Sequence, residues 1–278
     1  MSHEQLVREF YDNAVHCYES IMGHTWHHAD PAAEARGLTG LAAAQELEEQ
    51  VVALAGLKPG DYALDFGSGV GGETVYMAKV ASCNFVGLCN NEGLSARARA
   101  LAEKTGMSDK VNFFTIGDED YKTLVAFPDA CLDAVIFYES VCHLPDKAAF
   151  FRAAYRILKP GGRIVGLDWL QRPFGEYQTE EQILGAISGV NEYYRIAWHG
   201  TVDKYREMMT EAGFDVTLAR DLFEGVKCWG STPDGERPQW TNYEGPEGEF
   251  FRKGKVALDA ARDAGVFTVG LFAATKRA

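Results

Sequence analysis

The stretch "LDFGSGVGGET", residues 64–74, sits between "KPGDYA" and "VYMAKVAS". It reads as the end of a short buried strand, a glycine-rich turn and the start of a helix. That arrangement brings backbone amides close to a ligand. A Walker loop requires Gly-Lys-Ser/Thr so that a lysine can meet phosphates. Here Gly72 is followed by Glu73, so that reading fails. A dinucleotide loop requires G-x-G-x-x-G, and Gly67, Gly69 and Gly72 satisfy the spacing. Asp65, two places before Gly67, would oppose a pyrophosphate but suits a ligand carrying an ammonium group. A glycine turn with no ligand is the structural alternative.

Outward from this loop the chain keeps a regular rhythm. "GLAAAQELEEQVVALAG" (40–56) places apolar residues at helical spacing and stops at glycine. "DYALDFG", "NFVGLCN", "VNFFTIGD", "LDAVIFYES" and "GRIVGLDWL" read as five strands. "ETVYMAKVA", "LSARARALAEKTG" and "KAAFFRAAYRIL" read as the helices between them. Such alternation predicts an α/β protein with a doubly wound, Rossmann-like parallel sheet. "VDKYREMMTEAGFDVTLARDL" continues as helix then strand, and a helix over 251–264 and the strand "FTVGLFAAT" close the chain. Two stretches break the rhythm: 1–39, rich in Tyr, His and Trp, and 171–201, which carries Phe174, Tyr177, Tyr193, Tyr194 and Trp198. We expect the first to be an N-terminal helical lid, 40–278 the main domain, and 171–201 a substrate cap after strand five.

Composition narrows the class. A net charge of −13 over 278 residues opposes a nucleic-acid or anionic-membrane surface. The charged N-terminus lacks a signal-peptide core, and no apolar run reaches membrane-spanning length, so no stable membrane insertion is expected. Six cysteines without CxxC pairs read as free thiols of a cytoplasmic protein. His27 and His28 have no acidic or Cys partner at ligand spacing, so no metal site is expected. Nothing in the sequence opposes a homo-oligomer.

The loop with its acid resembles the first motif of class I S-adenosylmethionine-dependent methyltransferases, whose fold is a seven-stranded sheet of this kind. "VNFFTIGDED" is similar to the family segment whose acid contacts the adenine amino group, which implies Asp118, with Glu119 beside it. "RILKPGGRIVGLDW" resembles the family's turn before strand five. After "VGL" the usual ribose-binding acid is replaced by Cys89, followed by Asn90 and Asn91, which can still hydrogen-bond a ribose. The resemblance therefore implies S-adenosyl-L-methionine as cofactor, held by Asp65, Gly67, Gly69, Asn90, Asn91, Asp118 and Glu119.

Within that superfamily, "VGLCNNEGLSARARALAEKTGMSDKVNF" and "FYESVCHLPDKAAFFRAAYRILKPGG" look like segments of the sterol C-methyltransferases. "FYDNAVHCYESIMGHTWHH" is similar to their aromatic-rich N-terminal segment, which closes over the methyl donor and implies Tyr11 and Tyr18 as cofactor contacts. Bacterial prenyl C-methyltransferases share the outline, and the likeness spans roughly residues 10 to 220. It implies C-methylation of an isoprenoid double bond through a carbocation, in secondary metabolism. That chemistry needs aromatic faces, a dry apolar wall and a carboxylate that stabilises charge or accepts the final proton. Glu139 is the expected carboxylate, with His143 sharing the work. Trp26, His28, Trp169, Tyr177, Tyr193, Tyr194 and Trp198 are the expected substrate contacts. The substrate is a largely apolar small molecule: a prenyl diphosphate, a prenylated metabolite or a sterol-like lipid. A diphosphate would bring Mg2+ and use Arg172, Arg195, Lys204 and Arg206. Two alternatives stand beside this reading: O- or N-methylation of a small metabolite, and an inactive cofactor-binding assembly partner.

Overall fold

The computed structural model describes residues 1–38, 40–173, 179–228 and 242–277, except for the side chain of Glu119. Phe174 and Tyr177 therefore lie outside the described residues. Helices α1 (His3–Met22), α2 (Pro31–Ala35) and α3 (Gly40–Ala55) precede β1 (Tyr62–Phe66). Then follow α4 (Gly72–Ala81), β2 (Asn84–Cys89), α5 (Glu92–Lys104), β3 (Val111–Thr115), α6 (Asp118–Thr123) and β4 (Leu132–Tyr138). A single 3-10 turn, Val141–His143, leads to α7 (Lys147–Ile157) and β5 (Leu158–Gln171). The chain ends with α8 (Glu180–Tyr194), α9 (Val202–Glu211), β6 (Phe214–Asp221), α10 (Gly248–Asp263) and β7 (Phe267–Lys276).

The strands form one seven-stranded sheet in the order β3-β2-β1-β4-β5-β7-β6. Pairing is parallel from β3 through β5, but β7 runs antiparallel to both neighbours. The sheet is thus mixed, where the helix–strand rhythm predicts parallel strands. Both faces are covered, so strands read as nearly continuous apolar runs. In β4, Ala134, Ile136 and Tyr138 enter one core while Val135 and Phe137 enter the other. The first core gathers α1, α3, α4, α8 and α10; the second gathers α6, α7 and α9. Phe66 from β1 is sandwiched between Tyr121 of α6 and Phe150 of α7, with ring centroids 4.2 and 4.3 Å away. Burying each such ring contributes roughly 1.5–3 kcal/mol.

Strand order reverses between β1 and β4, and in open α/β sheets that opens a crevice at the strands' carboxyl ends. Helix α1 starts at a reciprocal cap between Ser2 and Gln5 and turns Val7, Phe10, Ala14 and Cys17 inward. Polar contacts tie it to the helices beside the crevice: Arg8 pairs with Asp118, Asn91 Nδ2 donates to Asp12 (2.8 Å), and Arg97 meets Glu19 (3.1 Å). Among the described residues no helix is long and apolar enough to cross a membrane. All six cysteines are free thiols, five of them buried.

Candidate active site

Among the described residues, two adjoining cavities open at the crevice. The larger, about 790 Å3 including space open to solvent, is lined by Gly67 and Gly69 of the loop, Glu73, Asn90, Asp118 and the aromatic pair Tyr121 and Tyr138. The smaller, about 310 Å3 again including space open to solvent, is walled by Phe10, Tyr18, Trp169, Tyr194, Ile196 and Cys142. Tyr11, Trp26, Glu139 and His143 border both.

The glycine loop is shaped by close packing at the switch point. Gly67 has φ +85°, and its N–H and that of Ser68 donate to Leu88 O. A Cβ at Gly67 would lie 2.2 Å from that of Ser140, whose hydroxyl donates to Phe66 O (2.6 Å). The loop and the end of β4 therefore lock together, and only glycine fits the conformation and the space. The result is a backbone cradle facing the larger cavity. The unpartnered Oδ1 of Asp65 lies behind it. A flexible, cationic adenosyl ligand with an amino-acid end fits this donor set: an apolar and aromatic slot, a glycine cradle, and carboxylates at Glu73 and Asp118.

Glu139 follows β4 in the left-handed conformation, φ +48°, which a non-glycine residue adopts at a cost. That twist aims its carboxylate between the cavities. Oε1 accepts from the backbone N–H and the Nδ1 of His28, both at 2.7 Å, and Oε2 accepts from Trp169 Nε1. Burial pushes the Glu139 carboxyl up, but the His28 ring and amide, with nearby His27, outweigh it and hold it below its ordinary value. It is a fixed negative charge. His143 behaves oppositely. Its Nδ1 donates to Arg195 O (2.9 Å), so the neutral ring presents Nε2 as acceptor to the Tyr11 hydroxyl (3.0 Å). Burial pushes the His143 ring down to about 4, which keeps it neutral.

Several expected residues stand elsewhere. Asp65 is buried and accepts from Thr74 Oγ1, but lines neither cavity; Glu73 faces the larger one instead. Asn91 caps α5 through Leu94 N and holds α1, leaving Asn90 on the cavity wall. Tyr18 lines the smaller cavity, not the larger. His28 stands behind Glu139 among Trp169, Phe223 and Phe267. Tyr193 packs on Phe250, and Trp198 carries Lys147 over its ring and donates to Pro145 O, both away from the cavities. The Glu119 side chain and Tyr177 lie outside the described residues. Sequence reading passed over Glu73, Tyr121, Phe10, Cys142 and Ile196. Glu73 was visible as the acid that replaces the Walker lysine, whereas the others carry no local signal.

The chain matches the methyltransferase domain family over residues 64–166. It is 27% identical over 228 residues to the sterol 24-C-methyltransferase of Saccharomyces cerevisiae, covering 79% of this chain and 57% of that protein. With the cycloartenol-C-24-methyltransferase of Arabidopsis thaliana it shares 29% identity over 223 residues, 80% of this chain and 63% of the relative. The chain thus spans about three fifths of the length of these curated relatives. The solved structure of geranyl diphosphate C-methyltransferase from Streptomyces coelicolor superposes with TM-score 0.74 at 18% identity, covering 99% and 98% of the two chains. Fold, glycine loop and sequence point the same way: the chain resembles the class I S-adenosylmethionine-dependent methyltransferases over residues 64–166, and the curated relatives it matches are sterol C-methyltransferases.

Proposed function

We propose that this protein methylates a carbon of an isoprenoid double bond, with residues 1–39 serving as a lid over a methyltransferase domain formed by 40–278, in the cytoplasm and in secondary metabolism. The observation that carries the reading is Glu139, a buried carboxylate locked by three N–H donors on the wall common to the glycine-loop cavity and an aromatic one. S-adenosylmethionine, when bound, supplies an electrophilic methyl group. Asn90, Asp118 and the glycine cradle would hold it in the larger cavity. Phe10, Tyr18, Trp26, Trp169 and Tyr194 would surround the alkene, exclude water and offer π-faces to the cation that methylation leaves. Glu139 would stabilise that cation without needing to change protonation, since its charge is fixed by donors already in place when the lid is closed. The final proton would leave the carbon next to the cationic centre for Tyr11 Oη while the Tyr11 proton passes to His143 Nε2. The C–H electron pair then becomes the new double bond.

The acceptor's reacting part is uncharged. The expected basic cluster is engaged locally: Arg172 with Asp221, Lys204 with Glu207, Arg206 with Asp203, and Arg195 with Glu192 O and the Phe250 ring. None of these lines either cavity. This favours a sterol-like or neutral prenylated acceptor over a diphosphate with Mg2+. A second reading, methylation of an amine nitrogen, draws on the same aromatic walls and carboxylate, which also suit an ammonium ion. Incubation with labelled methyl donor and a panel of neutral isoprenoids, prenyl diphosphates and amines decides. A new carbon–carbon bond supports the reading, and label only on nitrogen or oxygen overturns it.

A further inference from the structure

Glu73 stands in the first turn of α4, 6% exposed, and faces the larger cavity beside Gly69 and Val70. Behind it lies a buried set of acids with too few partners. Asp65 of β1 (1% exposed) accepts from Thr74 at Oδ2, and its Oδ1 meets no donor among the described residues. Glu48 of α3 (0% exposed) accepts from His27 Nε2 at Oε1, and its Oε2 is likewise unmet. His27 is the one imidazole of the set, and it spends its other nitrogen on His28 O. Tyr138 and Glu139 face the same cavity from the end of β4. Three buried carboxyls against one ring is an arrangement that either retains protons or awaits a cation.

We propose that Glu73, rather than Asp65, is the carboxylate that meets the ammonium of the donor's amino-acid end, and that binding the donor expels a proton from the Glu73–Asp65 pair. This rests on the S-adenosylmethionine reading of the larger cavity. Burial and the facing Asp65 hold the Glu73 carboxyl well above its ordinary value, and burial lifts Asp65 to about 7. An arriving ammonium supplies the missing positive charge; the Glu73 proton goes to solvent and the ion pair remains. Asp65 then acts through Glu73 as a positioning residue, held by Thr74.

The test is calorimetry with S-adenosylhomocysteine, which has the same ammonium, and with 5′-methylthioadenosine, which lacks it. Titrations in buffers of different ionisation enthalpy at pH 7 should show release of most of one proton for the first ligand and none for the second. Glu73→Gln should abolish the release and weaken S-adenosylhomocysteine by about 10- to 100-fold, the range for a charged hydrogen bond. Binding of 5′-methylthioadenosine should stay unchanged. Equal loss for both ligands, unchanged affinity for S-adenosylhomocysteine, or no proton release by the native protein each overturns the assignment. The last measurement needs no variant and stands even if Glu73→Gln does not fold. A native protein that binds neither ligand overturns the cofactor reading itself.

Discussion

At the scale of single residues, the proposed chemistry divides charge and proton transfer between two groups. Glu139 is saturated with donors and held ionised, so it suits stabilising a cation more than taking a proton. Glu139→Gln should lower turnover by about 10²–10⁴, the range for a positioned charged group, with S-adenosylhomocysteine affinity nearly unchanged. Rate and calorimetric measurements on one preparation check this; a normal rate removes Glu139 from the chemistry. Tyr11→Phe keeps the ring on both cavities and deletes the hydroxyl that faces His143. Deprotonation follows the methyl step, so the rate should fall by no more than about tenfold, while products gain isomers with a displaced double bond. Mass spectrometry and NMR of the products would show them, and a single unaltered product would remove the Tyr11–His143 relay. Glu139 and His143 could be picked out from the sequence because both follow a strand that ends at the crevice. His28 and Trp169, which donate to Glu139, stand out in the sequence only as substrate contacts, and their role as its donors is not legible there. His28 lies 111 residues away and Trp169 lies 30, and nothing local couples them.

At the scale of elements, α1 is bound to the domain by two kinds of contact. Phe10 is packed edge-on to Tyr194 of α8 and Phe251 of α10, whereas Arg8–Asp118, Lys122–Glu4 and Arg97–Glu19 are partly exposed ion pairs. Such pairs contribute at most about 1 kcal/mol each, so the helix is held firmly along one apolar stripe and weakly along its rim. No residue of α1 pairs with the sheet. Deleting residues 1–22 should leave the strand signal in circular dichroism intact and reduce turnover by at least about 10²-fold, through loss of ordered walls around the reacting groups. A truncated protein of full activity would contradict the lid. The βα alternation from β1 to β5 was plain in the sequence, since each apolar run is bounded by glycine or a helical repeat. The reversed direction of β7 was not, because strand direction is set by where the long crossover from β6 returns. That crossover contains α10, whose helical period says nothing of the direction in which the chain re-enters the sheet.

At the scale of the whole molecule, buried titrating groups shape the response to pH. The His27 ring is opposed by burial, but Glu48 wins and lifts it to about 9. A histidine raised in the folded state stabilises fully below its unfolded value of about 6.5, and that stability is lost as pH rises through about 9. The ligand-free protein should therefore lose on the order of 3 kcal/mol between pH 6.5 and 9 from this group. Denaturant melts across that window check it: His27→Gln should start less stable and show a flatter decline. A variant with the native slope would sink the assignment.

Tyr11 and Trp26 form part of both cavity walls, and both belong to the segment ahead of β1. If residues 1–39 act as the proposed lid, donor and acceptor do not come and go independently: one displacement of that segment admits both and one closure traps both, so residence times in the two chambers are tied. An inert acceptor analogue should slow the escape of S-adenosylhomocysteine. By linkage, any factor by which it tightens that ligand is the factor by which the ligand tightens it. Traffic through the enzyme is then paced by a single door.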